Sequence, residues 1–423
     1  MRPPDSCSSC DVRILKVLVL AAVLSVSPMG KLAFSAFSEE SESIDAGRSA
    51  GEAIRAQFGS EEPKVALVYA TMNHDHAAVL EGLRGVLGNG VSLLGCSAQG
   101  VACNERLTED GFALGVLGLG GSDLRCAIGV ERQVQDDSRN KGRRLAQTLK
   151  RNLGEAPKVV VLFYDPLCGA DVEAIIEGVR LEVDCPLVGG GAGQPWGAPH
   201  GTFQFLENEV LAHGLLGMAL AGPFTSEIDL CHGTVPSGIT SVVTKSDGNK
   251  ILEMDGRRAG DVWRETTGCR AEDMLDQSHF ATWALGVEVT GPGGQTECAI
   301  RGVFGFDPEA CAISLQAAVL AGSRVMLHHR TSEKILEGTA KMAANLAARL
   351  IGRRPWAVLG FECAARTFPF LGQAKTCKEH HQLRATVAPV APWLGMVAWG
   401  EIGPCAGRPA FHNYSYPLLV LTD

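Results

Sequence analysis

The sequence predicts an α/β to α+β fold in two domains, with mixed β-sheets covered by helices. Its 423 residues exceed what one hydrophobic core usually holds. Up to about residue 236, apolar runs of strand length alternate with amphipathic stretches at a recurring spacing. Beyond that point hairpin signals take over, and a looser version of the first pattern then closes the chain.

The first expected strand is KLAFSAFS, residues 31–38, which alternates apolar and small polar residues. Two units follow. In the first, Ala46, Ala50, Ile54 and Phe58 mark a helix, KVALVYA at 64–70 a strand, and Val79, Leu83 and Val86 a second helix. In the second, Leu145, Leu149 and Leu153 precede the strand KVVVLFYD at 158–165, and Val172, Ile175, Ile176 and Val179 follow it. Apolar residues three and four apart lie on one helix face. Gly95 of GCSAQG lies 31 residues after Lys64, and Gly189 of GGGAGQ lies 31 after Lys158. Further strands, GFALGVLGL and GLLGMALAG, come after each glycine loop. Shared periodicity of this kind predicts one helix-strand-helix-strand-glycine-loop unit used repeatedly.

A third copy is expected near the end. Its helix carries Ile335, Thr339, Met342, Leu346 and Leu350, with Ser332 as N-cap and Gly352 and Pro355 marking the exit. The strand WAVLGFECA and then WLGMVAWGEIGP complete it. Between the second and third copies, Asp247-Gly248 between apolar runs signals a hairpin. The expected division is a leader at 1–28, one domain at 29–236 and another at 237–423.

Composition narrows the function. A net charge of −9 argues against a nucleic-acid partner, which needs a basic face. Glycine accounts for 50 of the 423 residues, about 12% against a usual 7% or so, so backbone must turn sharply or be closely approached at many places. Fourteen cysteines without a repeating framework favour reduced thiols and a cytoplasmic location. The single CxxC, Cys7 to Cys10, has no second pair to make a metal site. The apolar run at 14–26 contains Lys16 and is too short to span about 30 Å of hydrocarbon. A membrane role is therefore not expected, and export through residues 1–35 is the alternative to the cytoplasm. The eleven histidines show no zinc spacing. The adjacent pairs His328-His329 and His380-His381 would point to opposite faces of a strand.

Seven motifs in order resemble the FIST family. LLGCSAQG, LTEDGFALGVLGL, PLVGGGAG and KILEMDGRRAGDVW are similar to its N-terminal domain and the start of its partner. FECAARTFPFLG, GMVAWGEIGP and FHNYSYPLLVL are similar to its C-terminal domain. The resemblance implies a sensory, signal-transducing protein that binds a small ligand, an amino acid or similar small acid, without catalysing a reaction. Haem-bound nitric-oxide sensing, an interaction scaffold of the F-box branch, and a cysteine-dependent hydrolase or transferase are the alternatives. About 30 residues before the first strand are too few for an F-box, so output is expected through a separate signalling partner. No cofactor is expected unless haem is bound.

The candidate ligand contacts come from the same motifs. A strand delivering Gly95, Cys96, Ser97 and Gly100 into a tight loop exposes backbone N–H groups to an anion. Gly190 and Gly191 occupy the matching loop of the second unit. Cys363, Arg366, Glu401 and Asn413 are the C-terminal candidates, with Arg366 and Glu401 able to clamp the two charges of an amino acid. Each has a structural alternative: a buried small thiol in a turn, glycine packing, an Arg–Glu bridge between loops.

Overall fold

The computed structural model describes residues 30–197, 201–275 and 280–423. The leader and its Cys7 to Cys10 pair lie outside the described residues. The first unit runs β1 (Leu32–Ser38), α1 (Ser43–Phe58), β2 (Pro63–Thr71), α2 (His76–Leu87), β3 (Ser92–Ala98), the hairpin β4 (Val101–Cys103)–β5 (Arg106–Thr108), and β6 (Leu114–Gly120). The second runs β7 (Arg125–Arg132), α3 (Ser138–Leu153), β8 (Val159–Tyr164), α4 (Val172–Arg180), β9 (Leu187–Gly191), the hairpin β10 (Gln204–Leu206)–β11 (Glu209–Leu211), and β12 (Gly214–Ala221).

The third unit opens with β13 (Thr225–Cys231) and is then interrupted. The insertion comprises β14 (Thr234–Asp247), β15 (Lys250–Met254), β16 (Arg257–Arg258), α5 (Ala259–Thr267), β17 (Trp283–Thr290), β18 (Thr296–Asp307), β19 (Ala312–Leu315) and β20 (Arg324–Arg330). Its strands run in the order β14-β20-β17-β18-β19-β15-β16, and β14 also pairs with β15, so the sheet closes as a barrel. The unit resumes with α6 (Ser332–Arg349), β21 (Pro355–Cys363), α7 (Gln373–Val387), β22 (Trp393–Ala398), the hairpin β23 (Glu401–Cys405)–β24 (Arg408–His412), and β25 (Tyr416–Thr422).

The other three sheets share one strand plan: β1-β6-β2-β3, β7-β12-β8-β9 and β13-β25-β21-β22. In each, the inner strand pairs in parallel with the next, as β2 with β3, β8 with β9 and β21 with β22. Each sheet is then extended by a hairpin from a different unit. β10 lies on β3, β23 on β9, and β4 on β22. The three units are thereby interlocked in a cycle. A cut at residue 236 would part β13 from β25, its sheet partner at the chain's end.

Strands buried on both faces read as unbroken apolar runs. Val65, Leu67 and Tyr69 of β2 face a central core, while Ala66, Val68 and Ala70 face the first unit's helices. Val159, Val161 and Phe163 of β8, with Ala357, Leu359 and Phe361 of β21, supply the other walls of that same core. Gly95 is paired with Val68 and Gly189 with Leu162. A Cβ at either would sit 2.0 Å or less from its partner's carbonyl oxygen, which no real side chain tolerates.

Three local expectations need correction. Thr331, not Ser332, caps α6, its side chain accepting from Lys334 N at 3.2 Å. His380 and His381 lie on a helix, α7, where each ring reaches a backbone carbonyl, of Asn104 and Glu105. Cys96 and Ser97 sit inside β3 and not in a loop, because the β10–β11 hairpin covers that edge and keeps the strand extended.

Candidate functional site

A cavity of about 690 Å³ opens where the second unit, the third unit and the barrel meet. Its floor lies beyond the carboxyl ends of β8, β9, β21 and β22, where backbone groups have no strand left to pair with and loops splay apart. The loop after β8 supplies Pro166, Leu167, Gly169, Ala170 and Asp171, the chain after β9 supplies Trp196, and the β22–β23 turn supplies Trp399 and Gly400. The barrel closes it with Asn249, Phe304 and Gln316.

Each wall is fixed from behind. Asp165 is buried; its carboxylate accepts from Leu167 N at 2.9 Å, Thr202 Oγ1 at 2.8 Å and His213 N at 2.9 Å. That triple bond set fixes the loop after β8. Trp399 donates from Nε1 to Gln99 Oε1 at 3.2 Å, and Gln99 Nε2 donates to Glu109 at 2.8 Å. Trp196 packs on Trp399 with ring centroids 5.4 Å apart and on Phe304 at 6.4 Å. Such offset aromatic contacts leave flat apolar faces toward the space between them.

The polar groups are mostly amides. Gly302 N donates to Asn413 Oδ1 at 3.0 Å, Asn413 Nδ2 to Gln316 Oε1 at 2.6 Å, and Gln316 Nε2 to Trp399 O at 2.9 Å. This relay orients both amides. Asn249 Nδ2 is bound to Leu315 O at 2.8 Å. Asp171, at the rim, caps α4 by accepting from Ala174 N at 3.1 Å. Among the described residues, no Lys, Arg or His lines the space.

Of the residues singled out in the sequence, Cys363 and Asn413 line the cavity. Glu401 lies behind it, buried, accepting from Ser415 Oγ at 2.9 Å, Ser415 N at 3.2 Å, Gly400 N at 3.1 Å and the Cys363 thiol. Burial pushes its carboxyl up to about 8. Burial, with Glu401 beside it, also pushes the Cys363 thiol well up. Gly190 pairs with Glu401, and Gly191 exchanges bonds with Gly400 O and Trp399 N at 2.8 and 3.0 Å. A Cβ on Gly191 would meet Trp399 O at 2.4 Å. These two glycines seat the turn that carries Trp399.

The first-unit candidates act at one remove. Ser97 Oγ donates to Gly193 O at 2.9 Å and accepts from Phe203 N at 3.1 Å, holding the segment that leads to Trp196. Cys96 is buried in the central core with its Sγ 3.6 Å from Met396 Sδ, and burial raises its thiol far above the ordinary range. Gly95 pairs with Phe205 of β10 within the sheet, and Gly100 packs against Thr108 and Glu109.

Arg366 and Glu401 form no ion pair with each other. Arg366 is fully buried beside α6 and α7, bonded to Glu379 at 2.6 Å and Thr339 at 3.0 Å, with Glu362 at 3.6 Å and the Tyr416 ring 5.5 Å away. Its charge is spent within the third unit. The residues that sequence reasoning passed over are Trp196, Asn249, Phe304, Gln316 and Trp399. Both tryptophans stand beside glycines, in QPWG and AWGE, and an aromatic placed at a glycine turn was the available signal.

Among the described residues, no group of three His, Cys, Asp or Glu side chains is arranged to hold a metal ion, and no helix is long and apolar enough to cross a membrane. The described residues hold twelve cysteines, with no disulfide between any two of them.

The chain is similar to an uncharacterized protein of Mycobacterium bovis, 28% identical over 386 residues covering 88% of this chain and 94% of the relative. It is similar also to an uncharacterized protein of Mycobacterium tuberculosis, 25% identical over 387 residues covering 90% and 97%. Among solved structures, a cyanuric acid hydrolase from A. caulinodans overlaps 92% of this chain and 99% of its own at 9% identity, with a TM-score of 0.37. Likeness at that level fixes neither fold nor activity. Residues 64–257 match the FIST N domain and residues 259–404 the FIST C domain. With both domains matched in order across most of its length, the chain belongs to the FIST family.

Proposed function

We propose that the protein is a sensory protein whose small ligand occupies the cavity between barrel and α/β units, and whose output runs through a separate protein. The observation that carries this is the cavity itself. Its 690 Å³ fall within the range of small-molecule sites, about 300–1,000 Å³, and its walls combine apolar surface with a few oriented polar groups. Cys363 and Asn413 are then direct ligand contacts, while Gly190, Gly191, Ser97 and Glu401 position the walls. An amino-acid ligand held by Arg366 and Glu401 loses its support, since each of those side chains is engaged elsewhere.

The same geometry bears on the rivals. A haem iron needs an axial donor, and among the described residues those of that kind in the lining are Cys363, whose thiol burial keeps protonated, and the rim carboxylate of Asp171. Neither described donor suits that cofactor, and an absorption spectrum of the purified protein with a Soret band would favour haem. A nucleophilic Cys363 would need a base, and its one acidic neighbour, Glu401, is itself raised to about 8 by burial.

Ala318 lines the cavity, and Ala318→Trp would fill it. Compounds from a metabolite library that raise the melting temperature of the wild type should lose that effect in the variant. Hits that stabilise both proteins equally would place the ligand elsewhere and sink the proposal.

A further inference from the structure

We infer that the ligand is an uncharged planar heterocycle carrying adjacent N–H and C=O groups, a lactam of nucleoside size, inserted between the amide relay and the indole of Trp399. The inference rests on the cavity being the ligand site. Its observations are the charge, the hydrogen-bond inventory and the shape of the walls.

Charge comes first. Among the described residues the lining contains no cation, and its single carboxylate, Asp171, stands exposed at the rim. An anionic ligand would give up its water with no positive partner among those described residues, which low-polarity surroundings penalise heavily. Among the described residues inside, a cation would be met by amides and a protonated thiol.

The amide relay then sets polarity. A primary amide has two N–H donors and two acceptor lone pairs. Asn413 spends one lone pair on Gly302 N and one N–H on Gln316; Gln316 spends one lone pair on Asn413 and one N–H on Trp399 O. Each keeps one donor and one acceptor, and their orientations are locked by the bonds already made. A neighbouring N–H and C=O on a ligand match that pattern; a carboxylate, which only accepts, does not. Leaving a buried donor or acceptor unmet is costly, so the match discriminates.

Shape supplies the rest. Trp399 is held by Gln99 and flanked by Trp196, with Phe304 beyond. Flat aromatic faces favour flat ligands. A smaller space of about 150 Å³, also bordered by Trp196, Phe304 and Ala365, adds Phe370 and Tyr414. It can take an uncharged substituent that projects from the ring.

The test is calorimetric titration of the full chain with uracil, orotate, hypoxanthine, inosine, indole and glutamate. Uracil should bind at least tenfold more tightly than orotate, which adds a carboxylate, and hypoxanthine at least tenfold more tightly than indole, which lacks the lactam edge. Inosine should bind at least as well as hypoxanthine, with quenching of tryptophan fluorescence from Trp196 and Trp399. Gln316→Met should weaken hypoxanthine at least tenfold and leave indole unchanged. Should that variant fail to fold, the ratios on wild type decide alone. Glutamate or orotate binding preferentially, and losing it in Ala318→Trp, would overturn the lactam class and leave the cavity standing. Lactam binding that survives Ala318→Trp would overturn the cavity reading itself, and with it this inference. Absence of lactam binding at millimolar concentration overturns the class.

Discussion

Glu401→Gln should remove a large part of the protein's pH sensitivity between pH 4.5 and 8. The carboxyl is fully buried and raised from near 4.5 to about 8 by burial, against the opposing pull of its bonds from Ser415, Cys363 and Gly400. Between those two values the fold retains a proton that the unfolded chain has released. The stability tied to the neutral acid is therefore fully present below about pH 4.5. It is lost steadily as pH rises through the folded value near 8, and no further above it. Linkage makes the slope about 1 kcal/mol per pH unit, so a few kcal/mol across the window. Glutamine reproduces the neutral acid, with one carbonyl acceptor and one donor end, and does not titrate. Urea unfolding at half-unit steps from pH 5 to pH 9 measures the difference directly. Glu362 is also raised by burial, eased by Arg366, so the variant keeps some slope of the same sign. The curve of variant minus wild type isolates Glu401: it should climb up to about pH 8 and then level off. A difference curve flat across pH 5–8 would mean that Glu401 is ionised in the fold.

Arg366→Ala should destabilise the protein by about 3–5 kcal/mol in denaturant titration, because Glu379 and Glu362 are left buried without their counter-charge; a loss under about 1 kcal/mol would contradict the ionic role. Gly191→Ala should cost roughly 1–3 kcal/mol through the clash with Trp399 O. It should also weaken binding of any cavity ligand by displacing the Trp399–Gly400 turn, and a variant with unchanged stability and affinity would show that the turn is not seated on Gly191.

Much of the fold is legible because the buried strands and their covering helices have opposite signatures. VALVYA and VVVLFY are apolar at every position because each face meets a different core, and α1 and α3 show the four-residue spacing of a helix with one wet face. The exchanged hairpins are not legible. β4, β5, β10 and β11 are three residues long, and nothing local says that they pair with a strand from another unit. That blindness explains the misplacement of Cys96 and Ser97. Without the hairpin from the second unit, the end of β3 would be an open edge, and small polar residues at an open edge read as a loop. Arg366 misled for a related reason. A charge among apolar residues signals either function or a buried partner, and its main partner, Glu379, lies on the following helix.

The cavity's position follows from the exchange. β23 belongs to the third unit but lies on β9 of the second, which carries Trp399 and Gly400 across to the loop after β8. The barrel reaches the same place through Arg301 of β18, which bonds the Phe411 carbonyl and pairs with Glu173 of α4, and through Arg330 of β20, stacked 3.6 Å from the Tyr414 ring. These two arginines tie the barrel to the second and third units. A ligand in the cavity would touch all three bodies at once, and its binding free energy would favour whichever barrel position those contacts require. Under the proposed function, the signal is then a change at the barrel junction and not within any one unit. Hydrogen exchange offers the check: a bound ligand should slow exchange in the Gly248–Asn249 turn and in residues 315–318, with the strands of the first unit unaffected. Slowing confined to the α/β units would mean that the barrel merely covers the site and takes no part in signalling.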